Sequence, residues 1–337
     1  MRMKSRDHWN ACRFVQDKQA AEKGHYESWF QRANHPTRPL AFWIRYTIFS
    51  PKDRPQEALG ELWSVYFDGE NDDIVAIKQV MPIAECSFSA NDLDHRVGSA
   101  TLDSEQLSGE AKGQGHHISW KLRFRSPDPQ LLLLPESLYT APFPKAKSLV
   151  GSPRAIYSGT LHVDDKAIQI DNWVGSQNHN WGSKHTDRYA WGQVSGFDDE
   201  PDSFLEIATA RVRLGPIWTP WMTVMVLRID GEEYRLNSIP QSVRATASYD
   251  YFCWRFESSS RKASISGSIA APIESFVGLP YNNPPGGVKT CLNSKLASCS
   301  LTLRRPGLPP RSLSSQHRAA FEILTDANDH NVPVLSP

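Results

Sequence analysis

The sequence predicts an all-β protein built as antiparallel barrels in two parts, on three observations. Apolar and polar residues alternate with period two in segment after segment, Asp-Gly pairs separate the apolar runs, and helical periodicity is scarce beyond the first ~25 residues and a short piece near Gln316–Leu324. At 337 residues the chain also exceeds the ~250–300 at which a single hydrophobic core stops growing, which favours two domains.

Hydrophobic residues at 39% against 22% charged are enough to pack a core. Leu40, Phe42, Ile44, Tyr46 and Ile48 share one strand face. Ile118, Trp120, Leu122 and Phe124 share another, opposite His117, Ser119, Lys121, Arg123 and Arg125, and Trp221, Thr223, Met225, Leu227 and Ile229 form a third. Aromatic and β-branched side chains dominate these runs, as half-buried strands require. Asp68-Gly69 and Asp230-Gly231 read as hairpin turns. Strands joined so briefly pair antiparallel, because a parallel crossover needs about a dozen residues. Two stretches break the rhythm. Ser126–Arg154, with six prolines and the run Leu131–Leu134, is a linker or a long loop laid across the surface. Beyond Leu303 the polar, Pro-rich RRPGLPPRSLSSQH reads as a docked or disordered tail.

Composition excludes several function classes. Thirty-seven basic residues balance 37 acidic ones, so there is no bulk field for nucleic acid, and Arg123/Arg125 and Arg304/Arg305 read as solvated strand faces. No apolar run follows the charged start MRMKSRDHWNACRF, so no secretory signal is expected. The longest apolar candidate, Trp218–Leu227, falls short of the ~18 residues a membrane helix needs and is broken by Pro220. Five scattered cysteines without C-x-x-C spacing suit a reduced, cytoplasmic protein. Transient membrane contact through an apolar rim stays open.

The chemistry-bearing stretch is Tyr157–Phe197. If Trp173–Trp181 is extended, Trp173, Gly175, Gln177, His179 and Trp181 share one face, too polar for an ordinary core and too aromatic for an ordinary surface. That combination suits a pocket wall. Further on, Phe204, Glu206, Ala208, Ala210 and Val212 alternate with Thr209, Arg211 and Arg213, so Glu206 stands alone on an apolar face, where burial raises a carboxyl pKa unless a donor such as His179 pairs with it. A buried structural ion pair, or a register slip of one residue, would explain Glu206 equally. Glu27, in the aromatic strand Gly24–Phe30, is a second inward carboxylate, with Trp29 plugging a barrel end.

Glu27-Ser28-Trp29-Phe30, then Tyr157-Ser158-Gly159, then Asn178-His179-Asn180-Trp181-Gly182 occur in the order seen in carotenoid 1,2-hydratase and AttH-like proteins, which the chain resembles over roughly residues 24–230. NHNWG followed by Tyr189-Ala190-Trp191 also looks like tocopherol cyclase, and the fungal Diels–Alderases belong to the same structural group. The resemblance implies two lipocalin-like barrels in tandem, a ligand at or between them, and no metal or organic cofactor. It carries the first barrel through NHNWG. The expected layout is then an extension over 1–22, barrels over 23–186 (including the Pro-rich loop 126–154) and 187–305, and a polar tail over 306–337. AttH-like members commonly carry Asp-His-Glu-Trp-Gly; Asn178 and Asn180 stand in place of both acids.

Hydration or cyclisation of an isoprenoid double bond needs a proton donor and a shield for the cation. His179 suits the first role and indole faces the second. The expected catalytic pair is therefore His179 and Glu206, with Glu27, Trp29, Trp173, Gln177, Trp181, Tyr189 and Trp191 around an elongated apolar ligand. A carrier of such a ligand, its acids lost, is the alternative. A metal site from His179, His185 and Glu206 is disfavoured, since the His179-x5-His185 spacing is wrong for a ligand pair and the His116-His117 pair points to opposite faces. A glycosidase using Glu27 and Glu206 depends on a carboxyl separation that only coordinates give.

Overall fold

The computed structural model describes residues 5–16 and 20–336. Two large curled antiparallel sheets make up the molecule. The first runs from Asp73–Pro82 through Leu59–Asp68, Leu40–Ser50 and His25–Asn34 to Lys166–Gly182 and Ala146–Val163. It continues through His116–Arg125 and Gln106–Gly113 to three short strands within residues 86–103. The sheet curls until its edge strand Asp73–Pro82 meets Gln106–Gly113: the Lys112 amide donates to Gln79 Oε1 at 3.3 Å. The interior is filled by Trp29, Phe42, Tyr46, Trp120, Tyr157 and Trp173.

The second sheet runs Glu232–Leu236, Met222–Ile229, Glu200–Arg211, Arg188–Phe197, Arg311–Thr325, Val288–Arg304, Ser264–Ala270, Cys253–Ser259 and Thr246–Tyr249. It forms a half-barrel around Leu205, Ile207, Met225, Trp254 and Phe321. The first sheet ends at Gly182 and the second begins at Arg188. Asp230 and Gly231, both in the left-handed region, make the tight turn between Met222–Ile229 and Glu232–Leu236.

Three expectations change. The polar tail drawn over 306–337 contains a strand, Arg311–Thr325, paired on both sides within the second sheet. The helical piece near Gln316–Leu324 is part of that strand: small Ala319 and Ala320 read as helix formers, but both faces are buried from Arg318 onward. The Pro-rich stretch is no linker. Residues 131–132 pair with Ala146–Val163, and the loop folds back between the two sheets.

The sheets pack face to face through a third core, where Phe30, Trp43, Trp63 and Phe67 meet Trp191, Leu279, Tyr281 and Leu324. Strands at this junction are therefore buried on both faces, as His25–Asn34 is along its whole length. Within the first sheet, a Cβ on Gly175 would lie 1.7 Å from the Arg32 carbonyl oxygen on the neighbouring strand, so only glycine fits there.

Candidate functional site

A bulge at Asn172, in the left-handed region, shifts the parity of the Lys166–Gly182 strand between Ile170 and Trp173. From Trp173 on, the odd residues Trp173, Gln177, His179 and Trp181 turn toward the first barrel, and the even residues Ser176, Asn178 and Asn180 turn toward the second sheet. The register expected for His179 and Trp181 holds.

Inside the first barrel His179 meets Glu27, not Glu206. Its Nε2 is 2.8 Å from Glu27 Oε1 and its Nδ1 is 2.7 Å from the Trp9 carbonyl oxygen. Glu27 also accepts from His25 Nε2 at 2.9 Å, from the Arg13 and Phe14 amides at 2.8 Å each, and from the Cys12 thiol at 3.5 Å. Burial alone would raise the Glu27 carboxyl; hydrogen bonds from His179 and His25 outweigh it and hold the group well below the usual carboxylate range. Burial lowers His179 on balance, against the raising pull of Glu27. Both ring nitrogens nonetheless face acceptors, so the protonated ring is the form that satisfies both contacts. Neighbouring His95, tilted against Trp29 with centroids 3.8 Å apart, is pushed down to about 3, chiefly by burial and then by the charge of His179. The N-terminal residues 9–14 thus seal this barrel, and both faces of the dyad are occupied by the chain itself.

Glu206 sits at the junction of the sheets. Trp191 Nε1 donates to its Oε1 at 2.8 Å and Gln193 Nε2 to its Oε2 at 2.7 Å. Gln193 in turn accepts from Arg32 Nε and Ser176 Oγ, each at 2.6 Å, and shares its amide with Asn178 Oδ1 at 2.8 Å. Burial raises the Glu206 carboxyl to about 7, against the lowering by those two donors. The expected row Phe204, Glu206, Ala208, Ala210 does share one face, but it looks toward the first sheet. The opposite face is not wet: Leu205 and Ile207 line the half-barrel core and Thr209 is buried, 2.8 Å from Thr223.

Between the sheets lies a cavity of about 280 Å³. Tyr26, Phe30 and Asn180 bound it on one side, and Tyr189, Trp191 and Tyr281 on the other. The Pro-rich loop roofs it with Leu133, Leu134, Leu138 and Phe143. Of the expected site residues, Tyr189 and Trp191 line this cavity. Glu27, Trp29, Trp173 and Gln177 are packed inside the first barrel, and Trp181 borders a separate cleft of about 530 Å³ with Trp9 and His25. Arg45, Tyr281 and Glu322, also on the cavity wall, went unread. The aromatic Trp43, two residues from Arg45 on the same face, was the available signal. Among the described residues no group of His, Cys, Asp and Glu is arranged to hold a metal ion, and no helix is long and apolar enough to cross a membrane. All five cysteines are free thiols.

These features define a two-unit lipocalin-like protein with a ligand-sized cavity at the junction of its sheets. The same fold occurs in a crystal structure from Nitrosomonas europaea assigned to AttH (TM-score 0.57, 14% identity, 94% of this chain and 96% of that one). It occurs also in kievitone hydratase from Nectria haematococca (TM-score 0.57, 11% identity, 92% and 93%). The likeness read in the short motifs is thus matched by the architecture along nearly the whole chain. In sequence, the uncharacterized proteins MT0513 and Rv0493c of Mycobacterium tuberculosis are each 23% identical over 291 residues, 83% of this chain and 82% of theirs. No family model matches the chain.

Proposed function

We propose that the protein binds an elongated, largely apolar small molecule between its two sheets and adds water across one of its carbon–carbon double bonds. The observation that carries this reading is the pairing of an aromatic-walled cavity with a protonable carboxyl just behind the wall. Trp191 lines the cavity on one side and donates to Glu206 on the other. A carboxyl near 7 exchanges a proton readily around neutrality. The indole of Trp191 and the ring of Phe30, 6.0 Å away and edge-on, supply faces that stabilise a cation. A fold-mate named as a hydratase supports the reaction class. In this reading Glu206 is the proton source of the site, and His179 anchors Glu27 and the N-terminal segment.

A panel of prenylated phenols and polyenes incubated in oxygen-18 water tests it by mass spectrometry. A product heavier by one labelled water is expected from wild type and not from Glu206→Gln, which should still retain ligand. If no panel member gains water, or Glu206→Gln turns over at the wild-type rate, the hydratase reading fails. One observation favours a carrier instead: both nitrogens of His179 are spent on the chain itself, leaving the imidazole no free position for a ligand. A carrier would return its ligand unchanged from both proteins.

A further inference from the structure

We propose that the inter-sheet cavity selects ligands ending in an anionic oxygen, a carboxylate or an ionised phenol, and that Arg45 is the group that receives it. This rests on the reading of that cavity as the ligand site and adds the head-group chemistry. Arg45 projects from the Leu40–Ser50 strand into the cavity wall and is 96% buried (4% exposed). Its Nε has no hydrogen-bond partner among the described residues. Its guanidinium stands 4.4 Å from the centre of the Tyr281 ring, a contact that orients the plane without neutralising the charge.

Charge accounting isolates Arg45. Glu322, on the same wall, is 2.8 Å from Lys295 Nζ, and Glu61, the other nearby carboxylate, is 2.8 Å from Lys78 Nζ. His185, stacked on Tyr26 with centroids 3.9 Å apart, is pushed down to about 3 by burial and adds no charge. Lys147, at the cavity edge, donates to the Ala141 carbonyl at 3.0 Å. Glu61 and Glu322 favour the Arg45 charge through space, but each is salt-bridged to a lysine and neither bonds to Arg45. A buried guanidinium whose N–H groups lack a bonded acceptor is costly unless something supplies one. An oxyanion on the end of an apolar body does, through the fork of parallel N–H bonds that guanidinium offers. Phe30, Trp191 and the loop leucines then cover the apolar part.

Quenching of tryptophan fluorescence, with Trp191 in the wall, reads binding directly. The probes are decanoate against decanol, and an alkyl dinitrophenol, ionised at neutral pH, against its methyl ether. Wild type should bind at least one anion tenfold or more tighter than its neutral twin. Arg45→Met should erase that preference while leaving decanol affinity within twofold, and Arg45→Lys should retain part of it. The two pairs tell a carboxylate site from a phenolate site. Neutral twins binding as well as both anions, or a preference that survives Arg45→Met, overturns the inference alone. No binding by any of the four probes overturns it together with the assignment of the cavity as the ligand site. If Arg45→Met fails to fold, judged by circular dichroism, Arg45→Lys decides: an unchanged preference ratio overturns the inference, and a reduced one supports it.

Discussion

Two glutamates, each fully buried, end in opposite states. Glu27 has five donors around it, two of them imidazoles, and is held as a carboxylate far into acid. Glu206 has two neutral donors and is lifted by burial to about 7. Burial is common to both; the number and charge of the donors decide the sign. The first arrangement fixes a charge in place and serves architecture. The second leaves a proton to trade near neutrality.

The largest test of this contrast removes a partner of Glu27. His179→Ala leaves a buried carboxylate without its main counter-charge and should lower stability by ~3–5 kcal/mol in urea denaturation. A loss below about 1 kcal/mol, the range of surface pairs, would break the contrast. The pH dependences should run in opposite directions. With its folded pKa depressed, Glu27 contributes stability that is complete above the unfolded carboxyl value of ~4.3 and is lost as pH falls below it. With its folded pKa raised, Glu206 contributes stability that is complete below that value and is lost as pH rises through about 7. Glu206→Gln should therefore flatten the alkaline side of the stability profile by roughly 1–3 kcal/mol and leave the acid side unchanged. Trp191→Phe removes one of two donors to Glu206. It should cost about 1 kcal/mol and move the midpoint of that loss to higher pH, measured as melting temperature against pH. The smallest effect is chemical. Burial, followed by the charge of Glu27, pushes the Cys12 thiol up, so iodoacetamide should label it only on unfolding, and at native rates once His179→Ala loosens the segment.

How much of this was legible follows from where period two is a sufficient code. In Ile118–Phe124, with one face in the barrel and Lys121, Arg123 and Arg125 outside, alternation reads true. At the junction of the sheets it does not. Trp43 and Arg45 belong to a face as buried as that of Phe42 and Ile44, and nothing in the local pattern distinguishes a face against water from a face against a second sheet. The inward register of His179 was recoverable because the stretch begins after the Asn172 bulge. Its partner was not, since Glu27 is 152 residues away, far more remote in sequence than Glu206, and only pairing of His25–Asn34 beside Lys166–Gly182 brings it within reach. Arg311–Thr325 was lost for a third reason: its opening residues look like a solvated tail, and its last eight are hidden on both sides.

The Pro-rich loop is rooted in the first sheet by Leu131 and Leu132, and the second sheet grips it through Arg228, which donates to the Pro129 and Gln130 carbonyls, and Asn237, which donates to Leu133. The roof is thus tied to both sheets at once, and loss of either set of bonds would loosen it over the cavity.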